Sequence, residues 1–395
     1  MIEEQLCAIR TRLAIAVAPR RGGWIIARPL KCGTFMTRIL VTGGAGYVGS
    51  HTCKALSQAG MEPVVFDHLV SGHDWAVKWG DLEVGDPLDR DRIAEVVGRV
   101  RPEGVIHFAS FASVGESVTD PAKYWHNNVT GTINLLDALT AANAPPMVFS
   151  SSCTVYGMTD ADFIAETVPV APINPYGNTK RAIEIMLQDY EVATGLRHIV
   201  LRYFNAAGCD ADVDIGEMHD PETHLIPLAI AAAAGDCAPL KIFGTDYPTA
   251  DGTCVRDYIH VTDLADAHVR ALRHLLDGGA SDIFNLGVGN GYSVREVVDT
   301  VGRVVGTPVP AEQDARRPGD PARLVADATH ALRRPSGETV ATTGDKKGMV
   351  VTDLSECKLS RVKITIYAMI GVMPMSFFTV GVWSRQVTAA LSRRI

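Results

Sequence analysis

Runs of consecutive apolar residues, each of strand length, recur through the first half of the chain, separated by longer stretches in which apolar positions return at helical spacing. Residues 39–42 (ILVT), 63–66 (PVVF), 104–110 (GVIHFAS), 147–152 (MVFSSS) and 198–205 (HIVLRYFN) are the strand candidates, because branched and aromatic residues dominate them. The intervening stretches predict helices over about residues 47–60, 89–100 and 120–142, and a further helix containing Tyr176. Strands joined through helices run parallel with right-handed crossovers, and strands apolar throughout are covered on both faces. The pattern therefore predicts an α/β chain built on a doubly wound parallel sheet.

At 395 residues the chain exceeds the ~250–300 at which one core stops growing, so a smaller lobe is expected after the sheet. The expected division is an N-terminal extension over 1–36, a Rossmann-type domain over 37–205, a substrate-binding lobe over 206–332 and an atypical tail over 333–395. The extension carries scattered arginines without amphipathic period, and Met36 directly precedes the first strand, so a disordered extension is expected. From about Arg333 the chain is polar and aperiodic, and residues 364–384 then carry no charged side chain. That run has the length of a membrane span, but Pro374 and several serines and threonines interrupt it, and a replaced tail is the expectation.

A net charge of -8 argues against a nucleic-acid surface, which shows as a basic excess, while leaving room for a local anion site. The eight cysteines include no CxxC pair. They argue against a thiolate metal centre or a disulfide scaffold, so no metal is expected and the cytoplasm is the default compartment.

Candidate chemistry begins where the first strand runs into Gly43, Gly46 and Gly49 and then into a helix. Glycines at this GxxGxxG spacing permit a tight turn, let the backbone approach a pyrophosphate and let helix and strand pack closely. The helix N-terminus offers free N–H groups and the positive end of its dipole. Asp67 ends the second strand, about 20 residues beyond, where a carboxylate grips a ribose 2'-hydroxyl and repels a 2'-phosphate. A site for NAD rather than NADP follows.

Tyr176 and Lys180 stand four apart in a helical stretch and so share a face. An ammonium beside a phenol favours the phenolate and lowers a pKa that is otherwise ~10, which makes Tyr176 a candidate general base. Ser152 closes its strand with a hydroxyl able to hydrogen-bond a reacting oxygen. Asp67, Phe108, Ser152 and Asn205 all lie at strand ends, where the ligand crevices of such sheets form.

With these residues in place, the chain resembles the extended short-chain dehydrogenase/reductase family. TGGAGYVGSH, HFASFASVGESV, NNVTGTINLLDA, FSSSCTVYG, NPYGNTK, LRYFNAAG and DYPTADGTCVRDYIHVTDLADAH are similar to its UDP-glucose 4-epimerase branch, in unbroken order over about residues 37–327. The resemblance implies NAD as cofactor and a homodimer formed through helices of the NAD-binding domain. It implies interconversion of UDP-glucose and UDP-galactose by C4 hydride abstraction, rotation of a 4-keto sugar and hydride return. Gly43, Gly46, Tyr47, Val48, Gly49, Asp67, Asp86, Phe108, Asn127, Lys180 and Phe204 match the cofactor contacts, and Tyr176, Lys180 and Ser152 the catalytic positions. The UDP-sugar positions are Ser152, Asn205, His224, Leu225, Lys241, Ile242, Phe243, Arg256, Arg317, Asp320 and Leu324. The planar guanidinium groups of Arg256 and Arg317 suit a diphosphate.

Two departures matter. Ala112 stands where many relatives place a lysine in the loop after Phe108, so one phosphate contact is missing. Leu324 stands where some relatives place a pocket-restricting tyrosine, which opens an alternative range of N-acetylated UDP-sugars. UDP-xylose and UDP-arabinose epimerisation shares the same machinery. Dehydratase chemistry calls for an acidic pair after the strand-end hydroxyl, and here Cys153, Thr154 and Val155 follow Ser152. A non-catalytic NAD sensor on the same fold is the remaining rival, and such a protein would not need both Tyr176 and Lys180.

Overall fold

The first strand, β1 (Arg38–Thr42), is buried from Ile39 onward, and its alternating side chains serve two cores. Ile39 and Val41 pack with Cys53, Leu56, Leu264 and Leu272 on one face of the sheet, and Leu40 packs with Ile93, Val96, Leu135 and Ile183 on the other. A strand covered on both faces has no polar alternation to show, which is why it reads as an unbroken apolar run. The computed structural model describes residues 36–317 and 319–332. The expectations for residues 1–35 and for the tail 333–395, including the uncharged run 364–384, fall outside the described residues.

After β1 the glycines lead into α1 (Tyr47–Gln58), followed by β2 (Glu62–Asp67), β3 (Asp81–Val84), α2 (Arg90–Val100), β4 (Gly104–His107) and α3 (Val114–Thr119). The stretch expected as one helix over 120–142 is α4 (Pro121–Tyr124), a π-helical segment Trp125–Thr130, and α5 (Gly131–Ala141). Then come β5 (Met147–Ser152), α6 (Pro175–Thr194), β6 (His198–Tyr203) and β7 (Asn205–Ala207). The remainder is α7 (Leu225–Ala234), β8 (Leu240–Phe243), β9 (Val255–His260), α8 (Val261–Leu276), β10 (Asp282–Leu286), β11 (Gly291–Ser293), α9 (Val294–Val305), β12 (Ala311–Asp314), β13 (Arg323–Leu324) and α10 (Thr329–Leu332).

The large sheet has the order β10-β6-β5-β4-β1-β2-β3, parallel throughout. Chain order reverses between β1 and β4, so their carboxyl ends frame the crevice in which such folds bind ligands. The expected division at 205 needs correction at this point. The chain leaves the sheet after β6, builds part of a second lobe, and returns through α8 and β10, with β10 pairing to β6. The physical reason lies in α8, whose stripe of Leu264, Ala267, Ala271, Leu272 and Leu275 is buried in the first core.

The smaller lobe combines β11-β9-β13, with β7 beside β9, and the pair β12-β8. Its own core joins Ala229, Ile230, Leu240, Tyr258, Val297 and Val301. Helix α9 starts at a capping box in which Ser293 and Glu296 satisfy each other's backbone N–H groups.

Candidate active site

The three glycines of the β1–α1 turn are held to glycine for different reasons. Gly43 has φ +73, and a Cβ there would stand 2.6 Å from the Ala109 nitrogen on the neighbouring strand end. At Gly49 a Cβ would stand 2.2 Å from the Gly43 carbonyl oxygen. Gly46 is different: a Cβ would meet only that same oxygen, at 3.4 Å, so the protein itself leaves the space in front of it clear. Helix α1 begins there with no side-chain cap and no acidic residue in its first turn. Free N–H groups and a positive dipole end facing a cleared space fit a dinucleotide pyrophosphate.

Asp67 is buried and braces this turn, Oδ2 accepting from Ala45 N at 3.0 Å and Oδ1 from Leu69 N at 2.9 Å. A carboxylate has about four lone-pair sites, so the bracing leaves capacity for a ribose hydroxyl. Asp86, beyond β3, is exposed and caps its own turn through Leu88 N. Phe108 directly follows β4 and packs its ring 4.7 Å from that of His268, and Val48 packs on the same core. The Tyr47 side chain points to the other lobe, its hydroxyl donating to Gly208 O at 2.6 Å.

Helix α6 is set by Asn174, whose side chain accepts from Gly177 N at 2.8 Å, and by Pro175 in its first turn. Tyr176, Lys180, Ile183, Glu184 and Leu187 form its buried face, so the sequence spacing does bring phenol and amine to one side. Lys180 Nζ donates to Ser150 O at 2.8 Å and to Ser110 Oγ at 3.0 Å, and lies 5.8 Å from the centre of the Tyr176 ring. Ser110 follows Ala109, the residue against which Gly43 is packed, so this amine borders the glycine turn. Ser152 Oγ accepts from Thr154 N at 3.2 Å and also interacts with the Tyr176 hydroxyl.

The electrostatics overturn one expectation. Burial pushes the Tyr176 phenol well up, with Tyr203 adding to the shift and Ser152 opposing it, and burial pushes the Lys180 ammonium down to about 7 against the pull of Glu184. In the protein alone, loss of water around both groups outweighs the attraction that four-residue spacing suggests.

Among the positions matched to a UDP-sugar, β9 carries Arg256 beside Leu324 of β13, and Asn205 of β7 pairs with Tyr258 two residues on. Leu324, Phe204, Cys153 and Val155 share one small apolar cluster, which places these positions next to Ser152. Arg256 is ion-paired to Asp320, and the Arg317 guanidinium lies 4.0 Å from the centre of the Phe243 ring. Ile242 is buried, whereas Lys241 is exposed and bonded to Asp314 at 3.1 Å. His224 occupies the N-cap position of α7 without a side-chain cap, just before the half-buried Leu225, and its Nδ1 is 2.7 Å from Glu217 Oε1.

Several supporting residues escaped the sequence reading. Buried Glu184 holds Arg202 at 2.7 Å and Ser151 Oγ at 2.7 Å, four residues beyond Lys180 on the same helix face. Asn128 ties the π-helical segment to Phe111 N at 2.9 Å and to Thr179 Oγ1 at 3.2 Å, and Asn127 donates to it at 3.0 Å. The four-residue spacing was a signal for Glu184, and nothing local signals Asn128.

Residues 39–287 match the NAD dependent epimerase/dehydratase family. The UDP-glucose 4-epimerase of Rhizobium meliloti (strain 1021) is 54% identical over 289 residues, covering 73% of this chain and 88% of that protein. A crystal structure of UDP-glucose 4-epimerase from Brucella ovis in complex with NAD is 53% identical with a TM-score of 0.74, covering 77% of this chain and 93% of that one. A UDP-glucose-4-epimerase from Stenotrophomonas maltophila with bound NAD and formylated UDP-arabinopyranose is 39% identical with a TM-score of 0.76, covering 85% and 98%. With the glycine turn, the Tyr176–Lys180 face and this extent of likeness together, the chain belongs to the NAD dependent epimerase/dehydratase family.

Proposed function

We propose that this protein is an NAD-dependent UDP-hexose 4-epimerase that interconverts UDP-glucose and UDP-galactose. One observation carries the reading: Tyr176, Lys180 and Ser152 are buried together beside the glycine turn, with Arg256 and Leu324 on the strands that face Ser152's cluster. Gly43, Gly46, Gly49, Val48, Asp67, Phe108, Asn127 and Phe204 hold NAD, with Tyr47 and Asp86 at the rim. NAD held by these residues would supply the hydride acceptor and donor for the sugar C4.

The protein's own part is proton handling and positioning. Burial lowers the Lys180 ammonium to about 7, so near neutrality Lys180 can release its proton and then take up that of the phenol, leaving Tyr176 as a phenolate base. Tyr176 takes the proton of the 4-hydroxyl, and Ser152 hydrogen-bonds the same oxygen as it becomes a carbonyl. Arg256 and Arg317 retain the diphosphate while the 4-keto sugar turns over.

Exposed Trp125, Ile133, Ile185 and Val192 on the α4–α5 stretch and α6 support a homodimer built on these helices. The free thiols Cys53, Cys153, Cys237 and Cys254 support the cytoplasm. No helix among the described residues is long and apolar enough to cross a membrane. Incubating the purified full chain with UDP-galactose and no added cofactor should yield UDP-glucose, followed by proton NMR of the anomeric region. Absence of product with NAD also supplied would refute the assignment.

A further inference from the structure

The loop between β7 and α7 holds two groups of side chains of metal-binding type, and they differ in one respect. Asp210, Asp212 and Asp214 already surround a cation of the protein's own, since Lys54 Nζ stands 2.7, 2.8 and 3.1 Å from their oxygens. Glu217, His219, Glu222 and His224 offer two imidazole nitrogens and two carboxylate oxygens within 4.8 Å of one another, and among the described ion pairs the two carboxylates meet only these imidazoles.

We infer that Glu217, His219, Glu222 and His224 form a binding site for a divalent transition metal, zinc by its donor set, which fixes this loop between the first turn of α1 and the start of α7. Three of the four imidazole–carboxylate spacings suit a tetrahedral ion, whose donors, each ~2.0–2.2 Å from the metal, stand about 3.3–3.5 Å apart, and the fourth, His224 Nδ1 to Glu217 Oε1 at 2.7 Å, would have to open on binding. His219 Nδ1 is 3.5 Å from Glu217 Oε1 and 3.7 Å from Glu222 Oε2, and His224 Nδ1 is 3.3 Å from Glu222 Oε1.

The atoms are also aimed as ligands rather than as hydrogen-bonding partners. The Glu217 side chain is only 8% exposed, and its Oε1 has no hydrogen bond of acceptable geometry although His224 Nδ1 lies 2.7 Å away. The buried His219 Nδ1 is unpartnered in the same sense. Nitrogen and oxygen atoms that converge on one point without good hydrogen-bond geometry between them fit a metal centre. On binding a metal both imidazoles would give up their protons, and the two carboxylates would then carry the charge that a divalent cation cancels.

Outer contacts hold the donors in place, as metal sites require. Glu222 Oε1 accepts from Thr223 N at 2.7 Å and from His224 N at 2.8 Å. The Tyr47 ring meets His219 edge-on at 6.2 Å, and His73 Nε2 contacts Met218 O at 3.2 Å. Tyr47 stands in the first turn of α1, so the ion would link the glycine turn to the smaller lobe.

The test uses the full chain purified without a histidine tag, loaded with zinc alone, passed through a desalting column and measured by mass spectrometry of the metal. About one zinc per chain is expected, falling at least about tenfold in His219→Ala and unchanged in Asp212→Asn, which alters only the neighbouring acidic group. Zinc should also raise the thermal midpoint, and a chelator should reverse the rise. Should the His219 variant fail to fold, zinc protection of His219 and His224 in the unaltered chain against diethyl pyrocarbonate, read by peptide mass, decides the matter. Less than about a tenth of a zinc per chain, zinc retained fully by a folded His219→Ala, or no protection of either histidine overturns the inference.

Discussion

The two walls of the crevice are made from different parts of the amino acid. On the dinucleotide wall the determinant is backbone: Gly43 and Gly49 lie where a Cβ would come within 2.6 and 2.2 Å of main-chain atoms. On the wall proposed to hold the sugar it is side chains, with Arg256 ion-paired to Asp320, Arg317 against the Phe243 ring, and Leu324 in the apolar cluster beside Ser152. A backbone determinant tolerates no substitution, since close-packed main chain has nowhere to go. Side-chain determinants can be exchanged without disturbing the sheet, so the cofactor wall should be rigid in sequence and the sugar wall adjustable.

The strongest way to break that contrast is Gly49→Ala. The added methyl meets a carbonyl oxygen rather than a movable side chain, so stability should fall by about 3 kcal/mol or more, seen as loss of soluble folded protein or of its thermal transition. Gly46→Ala sharpens the point from the other side: its thermal midpoint should stay near that of the parent while NAD affinity, measured by fluorescence titration, drops at least about tenfold. Equal damage from both would mean that the turn is shaped throughout by protein packing and not in part by a ligand.

Tyr176→Phe comes next in size. It removes only the hydroxyl of a buried ring, so the fold and NAD binding should persist while kcat falls by about a hundredfold to ten-thousandfold. A variant epimerising at the parental rate would remove Tyr176 from the chemistry.

How far the sequence reached follows the same line between backbone and environment. Strand runs such as MVFSSS and the Gly43–Gly49 spacing were readable because each encodes its own local geometry. The π-helical segment Trp125–Thr130 was not, because it is held by Asn128 bonding to Phe111 and Thr179, partners far along the chain. The return of β10 to the large sheet was likewise hidden, since a short apolar strand does not state which sheet it joins. The placement of Tyr176 with Lys180 was correct and its electrostatic consequence was not, because spacing fixes a helix face and only burial fixes the solvation of that face.

On the sugar wall, Arg256→Lys keeps the charge but loses the planar fork, and one ordinary charge-assisted hydrogen bond is worth about 1.5–3 kcal/mol. KM for UDP-galactose should rise about tenfold to a hundredfold with little change in kcat, as expected for binding energy shared by ground and transition states. A fall in kcat alone would move Arg256 from holding the nucleotide to the reaction itself.

Lys180 supplies a smaller effect on stability, with a definite sign. Its folded-state pKa of about 7 lies below the unfolded value of ~10.4, so between these limits the unfolded chain binds more protons and stability from this residue rises with pH. Below about 7 the ammonium is charged in both states and the full burial penalty applies. The thermal midpoint of the parent minus that of Lys180→Met should therefore increase from pH 7 to about pH 9.5, before unfolded tyrosines begin to ionise. A flat or falling difference would show that Lys180 keeps its proton in the folded protein.

The smallest expected effect is the one that tests adjustability directly. Leu324 lies in register with Arg256 and is half-buried against Cys153, Val155 and Phe204, close to the strand end that carries Ser152. A tyrosine at this position adds a ring and a hydroxyl without touching the glycine turn, and pocket changes of that size discriminate by about 1–3 kcal/mol. If Leu324 leaves room for an N-acetyl group, the parent should epimerise UDP-N-acetylglucosamine, and Leu324→Tyr should lose most of that activity while keeping UDP-galactose turnover within a few-fold. Parent protein that turns over the hexose but never the acetylated sugar would show that the limit on substrate size lies elsewhere. The sugar wall would then be less adjustable than its side-chain construction implies, because a second contact would have to close the same space.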